Sequence, residues 1–139
     1  MNIAILSNGN INYSTLRLKE EAERHGHRVK VIKYKNCYVS IDEQHPKVIY
    51  RGREIGNFDV FIPRIASYMT RYGTAVVRQL EMANPQAFFM NRSIAITRAR
   101  DKLRSTQLLA RAGVAIPKTV FSRKDRKSTR LNSSHGSAS

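Results

Sequence analysis

A chain of 139 residues can bury one hydrophobic core, since single domains commonly run to about 100–150 residues. Lys and Arg outnumber Asp and Glu by 25 to 10, a formal charge of +15 that points to an anionic partner such as a nucleotide, a nucleic acid or an acidic peptide. The single cysteine, Cys37, excludes an internal disulfide and reads as a packing residue, and no apolar run approaches the roughly 18 residues of a membrane span.

The opening residues Met1-Asn2-Ile3-Ala4-Ile5-Leu6-Ser7 lack a basic region before their short apolar run, so they predict a strand rather than a signal peptide, with a cytoplasmic address as the default. Ser7-Asn8-Gly9-Asn10 supplies the turn after it. Ser14 or Thr15 is a suitable cap for the next helix, in which Leu18, Ala22 and His25 share one face and which Gly26 ends. Val29 and Val31 then mark one face of a strand. Val39 and Ile41 alternate before His45-Pro46 and Val48 and Tyr50 after it, the pattern of a hairpin, with a Gly52 turn beyond. Asp59-Val60-Phe61-Ile62-Pro63-Arg64 reads as a further buried strand with Pro63 near its exit, where a missing N–H is tolerated.

Ser67 can start a helix that turns Gly73, Val76, Val77, Leu80 and Ala83 inward and stops at Asn84-Pro85. Ala87-Phe88-Phe89-Met90 follows as another buried strand. Strands alternating with helices imply an α/β domain with a mainly parallel sheet over residues 1–95. Residues 96–122 begin a second unit. There Asp101 stands at the N-cap of a helix that Gly113 closes, and an apolar strand from Ile116 to Phe121 should come after it.

From Asp125 the text changes character. Asp-Arg-Lys-Ser-Thr-Arg-Leu-Asn-Ser-Ser-His, ending at His135, has no apolar periodicity and resembles the translation of a sequencing-adapter oligonucleotide, with residues 136–139 running into index bases. Residues 123–139 are therefore expected to be disordered and foreign to the natural gene, whose own coding region should continue past Lys124. Without Arg126, Lys127 and Arg130 the body is still strongly basic.

Several blocks fall in an order and spacing that resemble the N-terminal portion of RimK-type ligases. They are Ile3-Ala4-Ile5-Leu6-Ser7, Cys37-Tyr38, Phe58-Asp59-x-x-Ile62-Pro63-Arg64-Ile65, Tyr72-Gly73-Thr74-Ala75, Arg78-Gln79-x-Glu81-Met82 and the long run from Ala99 through Asp101-Lys102 to Leu109-Ala110-Arg111. The resemblance covers about residues 1–122. It implies a Rossmann-like pre-ATP-grasp domain followed by the start of an ATP-grasp domain, in a parent enzyme that uses ATP with Mg2+ or Mn2+ to add L-glutamate to the C-terminus of a ribosomal protein or similar acceptor. An acyl-phosphate intermediate is implied as well. By the same resemblance the metal site, phosphate loop and adenine pocket lie beyond this chain. No catalytic or metal residue is then expected in it, and alone it should be inactive and hold no nucleotide tightly.

Two residues stand out as binding candidates. Lys102, beside a helix start where dipole and free N–H groups favour anions, is the candidate contact to ATP phosphate by the family motif; its other reading is a solvated lysine. Arg64, at the carboxyl end of a strand where open α/β sheets bind ligands, is the candidate for an acidic substrate, or else a partner for Glu81. The Ser7-to-Asn10 turn lacks G-x-G-x-x-G, which argues against a dinucleotide site. His25 and His27 have no third ligand in view and read as a helix-end partner and a strand-entry residue. Arg98, Arg100, Lys102 and Arg104 recur at every second position and cannot share one helical face, a pattern that fits a turn between two short helices.

Two functions follow. One is the N-terminal part of the glutamate ligase, with a second copy of itself among its candidate partners and no membrane partner. The other is a small basic module for nucleic acid or ribosome, against which the absence of aromatics interleaved with the basic residues argues.

Overall fold

Continuous burial from Ile3 to Ser7 makes strand β1 (Asn2–Ser7) a central one, with partners on both sides. The computed structural model describes residues 1–8, 12–43 and 45–122; Gly9 and Asn10 of the expected turn, and the tail from residue 123 on, lie outside the described residues. Helix α1 (Tyr13–Arg24) comes next, and its cap is Asn12 rather than Ser14 or Thr15: the Asn12 side chain accepts from Thr15 N at 2.9 Å. All three residue types cap well. The choice falls on the one that is still extended where the helix begins, and Thr15 is instead wholly buried. Leu18 and Ala22 are half-buried, whereas His25 is exposed and lies 3.7 Å from Glu21. Gly26 takes φ +77°, the left-handed conformation that ends helices.

Strand β2 (Arg28–Lys33) sets Val29 and Val31 on one face half-buried; the fully buried residue is Ile32 on the other. A short 3-10 helix (Tyr34–Asn36) then leads to an antiparallel meander of β3 (Cys37–Ser40), β4 (Lys47–Tyr50) and β5 (Arg53–Glu54), with Val39 opposite Val48. The β4–β5 turn needs positive φ at Arg51 and Gly52, the signature of a type I′ hairpin. Strand β6 (Val60–Pro63), helix α2 (Thr70–Ala83) and strand β7 (Phe88–Phe89) follow, and the parallel sheet runs β2-β1-β6-β7. The buried strand expected over Ala87–Met90 is a two-residue edge strand in which only Phe89 is buried, with Phe88 and Met90 exposed, because an edge strand is covered on one side alone. A 3-10 turn over Ser67–Met69 replaces the first turn of helix expected from Ser67. The α/β fold with a mainly parallel sheet is the one the sequence predicts.

The core lies between that sheet, the meander and α2. Ala4, Leu6, Ile32, Phe61 and Phe89 meet Val76, Val77 and Leu80 there, together with Tyr34, Val48 and Tyr50. Phe61 stacks on Phe89 at 4.7 Å and meets Phe58 edge-on at 5.6 Å. Ile3 and Ile5 alternate to the opposite face, and α1 packs against β1 and β2. Helix α2 pins β3 by two side chains: Tyr72 OH donates to the Cys37 carbonyl, and Gln79 Nε2 to the Ser40 carbonyl at 2.8 Å.

At Gly73, α2 lies against Ile65 of the chain beyond β6. A Cβ there would run into Ile65 Cγ2 and stand 3.1 Å from its Cδ1. Because that methyl is on a branched, buried side chain, Gly73→Ala is expected to lose about 1–3 kcal/mol to overpacking and to regain at most about 1 kcal/mol of helix preference. Urea unfolding measures the balance. A more stable variant would show that Ile65 yields freely.

Cys37 is buried, and burial pushes its thiol up to about 11 from 9.0; burial also raises Tyr34 and Tyr72. The fold therefore prefers the protonated forms of all three. That contribution is fully present below the unfolded values and is lost as pH rises through the folded ones, so stability should fall across the window from 9.0 to about 11. Denaturation midpoints on either side of the window test the sign, and a rise would contradict it. Alkylation of Cys37 at neutral pH should be slow until the chain unfolds.

Helix α3 (Ser93–Arg100) and helix α4 (Lys102–Arg111) meet at Asp101, the turn between two helices that the alternating basic residues imply. Asp101 caps α4 by accepting from Arg104 N at 2.9 Å, and Gly113 at φ +73° closes it. Residues 114–122 form no strand, contrary to the expectation for Ile116 to Phe121. A strand exists only as one side of a hydrogen-bonded ladder, and no described segment offers this one a partner. Among the described residues, no helix is long and apolar enough to cross a membrane.

Candidate functional site

At the carboxyl ends of β1 and β6 the sheet order reverses: the chain leaves β1 for β2 on one side and β6 for β7 on the other. Open α/β sheets leave a crevice at such a point, because the connections diverge to opposite sides. Here it is an open cleft of about 1060 Å³. Ser7 at the end of β1 and Asn8 after it, Pro63 at the end of β6 and Arg64 after it, Asn12 and Thr15 from the start of α1, and Arg100 from the end of α3 contribute to its walls.

Arg64 is half-buried there, directly after β6, where its own N–H extends the sheet ladder to the Leu6 carbonyl at 2.9 Å. Its Nη2 donates to Ser14 Oγ at 2.6 Å, and its buried Nε has no hydrogen-bond partner among the described residues. Glu81, the partner proposed from the sequence, is engaged elsewhere. Its carboxylate accepts from Ser93 N and Ser93 Oγ, both at 2.8 Å, and so caps α3, which has no cap from its own preceding residue. A carboxylate satisfies N–H groups at a helix start better than it reaches across the sheet.

Two further residues hold the segment after β6 in place, and sequence reading did not single them out. Tyr34, fully buried, accepts at its OH from Ala66 N at 3.0 Å, and Arg100 Nη2 donates to the Ile65 carbonyl at 2.8 Å. An aromatic residue just after a basic strand, and one arginine in a run of alternating basics, give no periodic signal that would mark either. Asn8 Nδ2 also donates to Tyr68 OH across the mouth of the cleft.

Lys102 is not in this cleft. It is the exposed first residue of α4 and lines a shallower hollow of about 550 Å³ with Ser67, Thr70, Thr97, Arg100 and Asp101. Arg100 belongs to both walls, which makes α3 the divider between the two candidates. Among the described residues no group of His, Cys, Asp and Glu has the makings of a metal site, His25 and His27 included.

Residues 1–96 match the family model of the RimK PreATP-grasp domain. The chain is 51% identical over 121 residues to a probable alpha-L-glutamate ligase of Vibrio vulnificus, and 52% identical over 124 residues to one of Teredinibacter turnerae. It is 52% identical over 121 residues to one of Hydrogenovibrio crunogenus. These alignments take in 87–89% of the chain and 40% of each relative, so the chain spans about two-fifths of the length of the curated relatives it matches. The chain belongs to the RimK pre-ATP-grasp family.

Proposed function

We propose that this member of the RimK pre-ATP-grasp family is the N-terminal part of an ATP-dependent ligase that joins L-glutamate to a carboxylate of an acceptor protein or peptide, such as a ribosomal protein. What carries the reading is identity of about one-half, over nearly nine-tenths of the chain, to proteins named as probable alpha-L-glutamate ligases. Forming an amide from a free carboxylate needs an activated acyl group. In the proposed sequence the acceptor carboxylate attacks the γ-phosphorus of ATP, releasing ADP and forming an acyl phosphate. The glutamate amine then attacks the acyl carbon, phosphate leaves, and the amine loses a proton.

A divalent cation, Mg2+ or Mn2+, would screen the phosphate charge in such a transfer. The described residues do not fit that role, since the polar lining of the main cleft is cations, amides and hydroxyls and no carboxylate cluster exists among them. We place the nucleotide and metal chemistry in the remainder of the parent, with Lys102 reaching ATP phosphate from the start of α4. The family's work fits the cytoplasm, where ATP and glutamate are at hand. The test is the full-length parent incubated with ATP, Mg2+, glutamate and acidic peptide acceptors. Mass spectrometry should show glutamyl additions matched by ADP release. ATP turnover without amide formation, or no turnover with any acceptor, would overturn the reading.

A further inference from the structure

We infer that the cleft between the ends of β1 and β6 is a carboxylate site, which takes an acidic peptide on the Arg64 guanidinium. The inference deepens the ligase reading and rests on it only for the choice of glutamate-bearing ligands.

The first support is charge. Lys35, Arg64 and Arg100 line the cleft, and no Asp or Glu does so among the described residues. Nor is this positive charge neutralised elsewhere: the ion pairs among the described residues all lie within α1 or at its end. Walls of one sign concentrate the field and draw in the opposite charge. The second support is unmet hydrogen-bonding capacity. Thr15 is wholly buried and lines the cleft, and among the described residues neither its Oγ1 nor Arg64 Nε has a hydrogen-bond partner. Buried polar atoms without partners are rare in folded proteins and need a reason. The first turn of the 12-residue α1 also opens on the cleft through Asn12 and Thr15, adding the positive end of its dipole.

Ser14 fills one donor of Arg64 with a neutral hydroxyl. A carboxylate is the stronger acceptor and matches the planar guanidinium with two parallel bonds, so on binding it displaces Ser14 from Nη2 and takes up the Nε–H as well. The amides of Asn8, Asn12 and Asn91 around it suit the backbone of a peptide, and a volume of about 1060 Å³ exceeds what a single amino acid fills.

The test is calorimetric and NMR titration of the 139-residue chain, without ATP, by glutamyl-glutamate, by the same dipeptide with every carboxylate amidated, by free glutamate and by inorganic phosphate. Saturable binding of glutamyl-glutamate is expected, with at least about a 10-fold loss on amidation and about a 10- to 100-fold loss in Arg64→Gln. Ser14→Ala should bind as well or better, and Arg78→Ala, exposed on α2 and away from the cleft, should bind normally. If Arg64→Gln does not fold, Lys35→Gln carries the test with an expected loss of about 2- to 5-fold. Equal affinity for the amidated dipeptide, or unchanged affinity in these variants, would overturn the proposal. So would phosphate competing more strongly than the dipeptide, or free glutamate binding as tightly as it does. A parent that ligates glutamate while this chain binds no carboxylate would sink the cleft alone; a parent that fails to ligate while binding here persists would sink the ligase reading alone.

Discussion

Phe61→Ala should lower the unfolding free energy by about 3–5 kcal/mol, the cost of removing a fully buried aromatic ring whose neighbours cannot close over the gap. Phe61 is wedged between Phe89, stacked on it at 4.7 Å, and the edge of Phe58 at 5.6 Å. It also joins β6 to the short edge strand β7, so the cavity opens between two elements that hold few other core residues. Total stabilities of single domains run to about 5–15 kcal/mol, so a loss of this size brings a domain at the low end of that range to the edge of unfolding at room temperature. Urea titration followed by circular dichroism reads it. A loss below about 1 kcal/mol would mean that the ring stack is not part of the cooperative core. Phe61→Leu, which keeps most of the volume, should lose clearly less.

Lys102→Ala in the full-length parent should weaken ATP use by about 10- to 150-fold, the equivalent of one charge-assisted hydrogen bond of roughly 1.5–3 kcal/mol. Local structure gives no competing role to that side chain. It is exposed at the first position of α4, and the cap there is made by Asp101 through Arg104 N. A solvated lysine would change activity or stability within about 0.5 kcal/mol. Arg104→Ala is the charge-matched control. Equal losses in both, vanishing at high salt, would place Lys102 in a diffuse basic field and remove it from the nucleotide site.

Local signals in the sequence carried over well into the fold. The run Ile3, Ala4, Ile5, Leu6 needs only its own apolarity to mark a buried strand, and Gly26, Gly52 and Gly113 sit at positive φ where a turn or helix end requires it. The inward face of α2 follows from spacing alone, as Val76, Val77 and Leu80 show. Signals that depend on distant partners did not carry over. Nothing near Ile116 reveals whether a second strand is there to pair with it. Arg64 finds its acceptor 50 residues away on Ser14, while Glu81 turns to Ser93. Asn12 could not be ranked above Ser14 by residue type, because the cap is chosen by where the chain enters the helix. The position of Arg64 beside the cleft at the strand ends was legible, since a strand end is a local feature. The residues that hold the crevice in shape, Tyr34 and Arg100, act through the Ala66 N–H and the Ile65 carbonyl, which no side-chain pattern encodes.

Because β1 is made before its sheet partners and lies in the middle of its sheet, its second edge stays open until β6 is available. The span is long: Asn2 N meets the Asp59 side chain across 57 residues of chain. At a synthesis rate of about 5–20 residues per second, that edge waits about 3–11 seconds on the ribosome with its N–H and C=O groups unpaired. The meander β3-β4-β5, whose strands are neighbours in sequence, closes in microseconds once it emerges and does so before its larger companion sheet is complete. At that stage of synthesis the pairings of the small sheet are available while the central strand of the large one still lacks its second partner. That stage is where non-local pairing slows folding and where strand-edge aggregation would start.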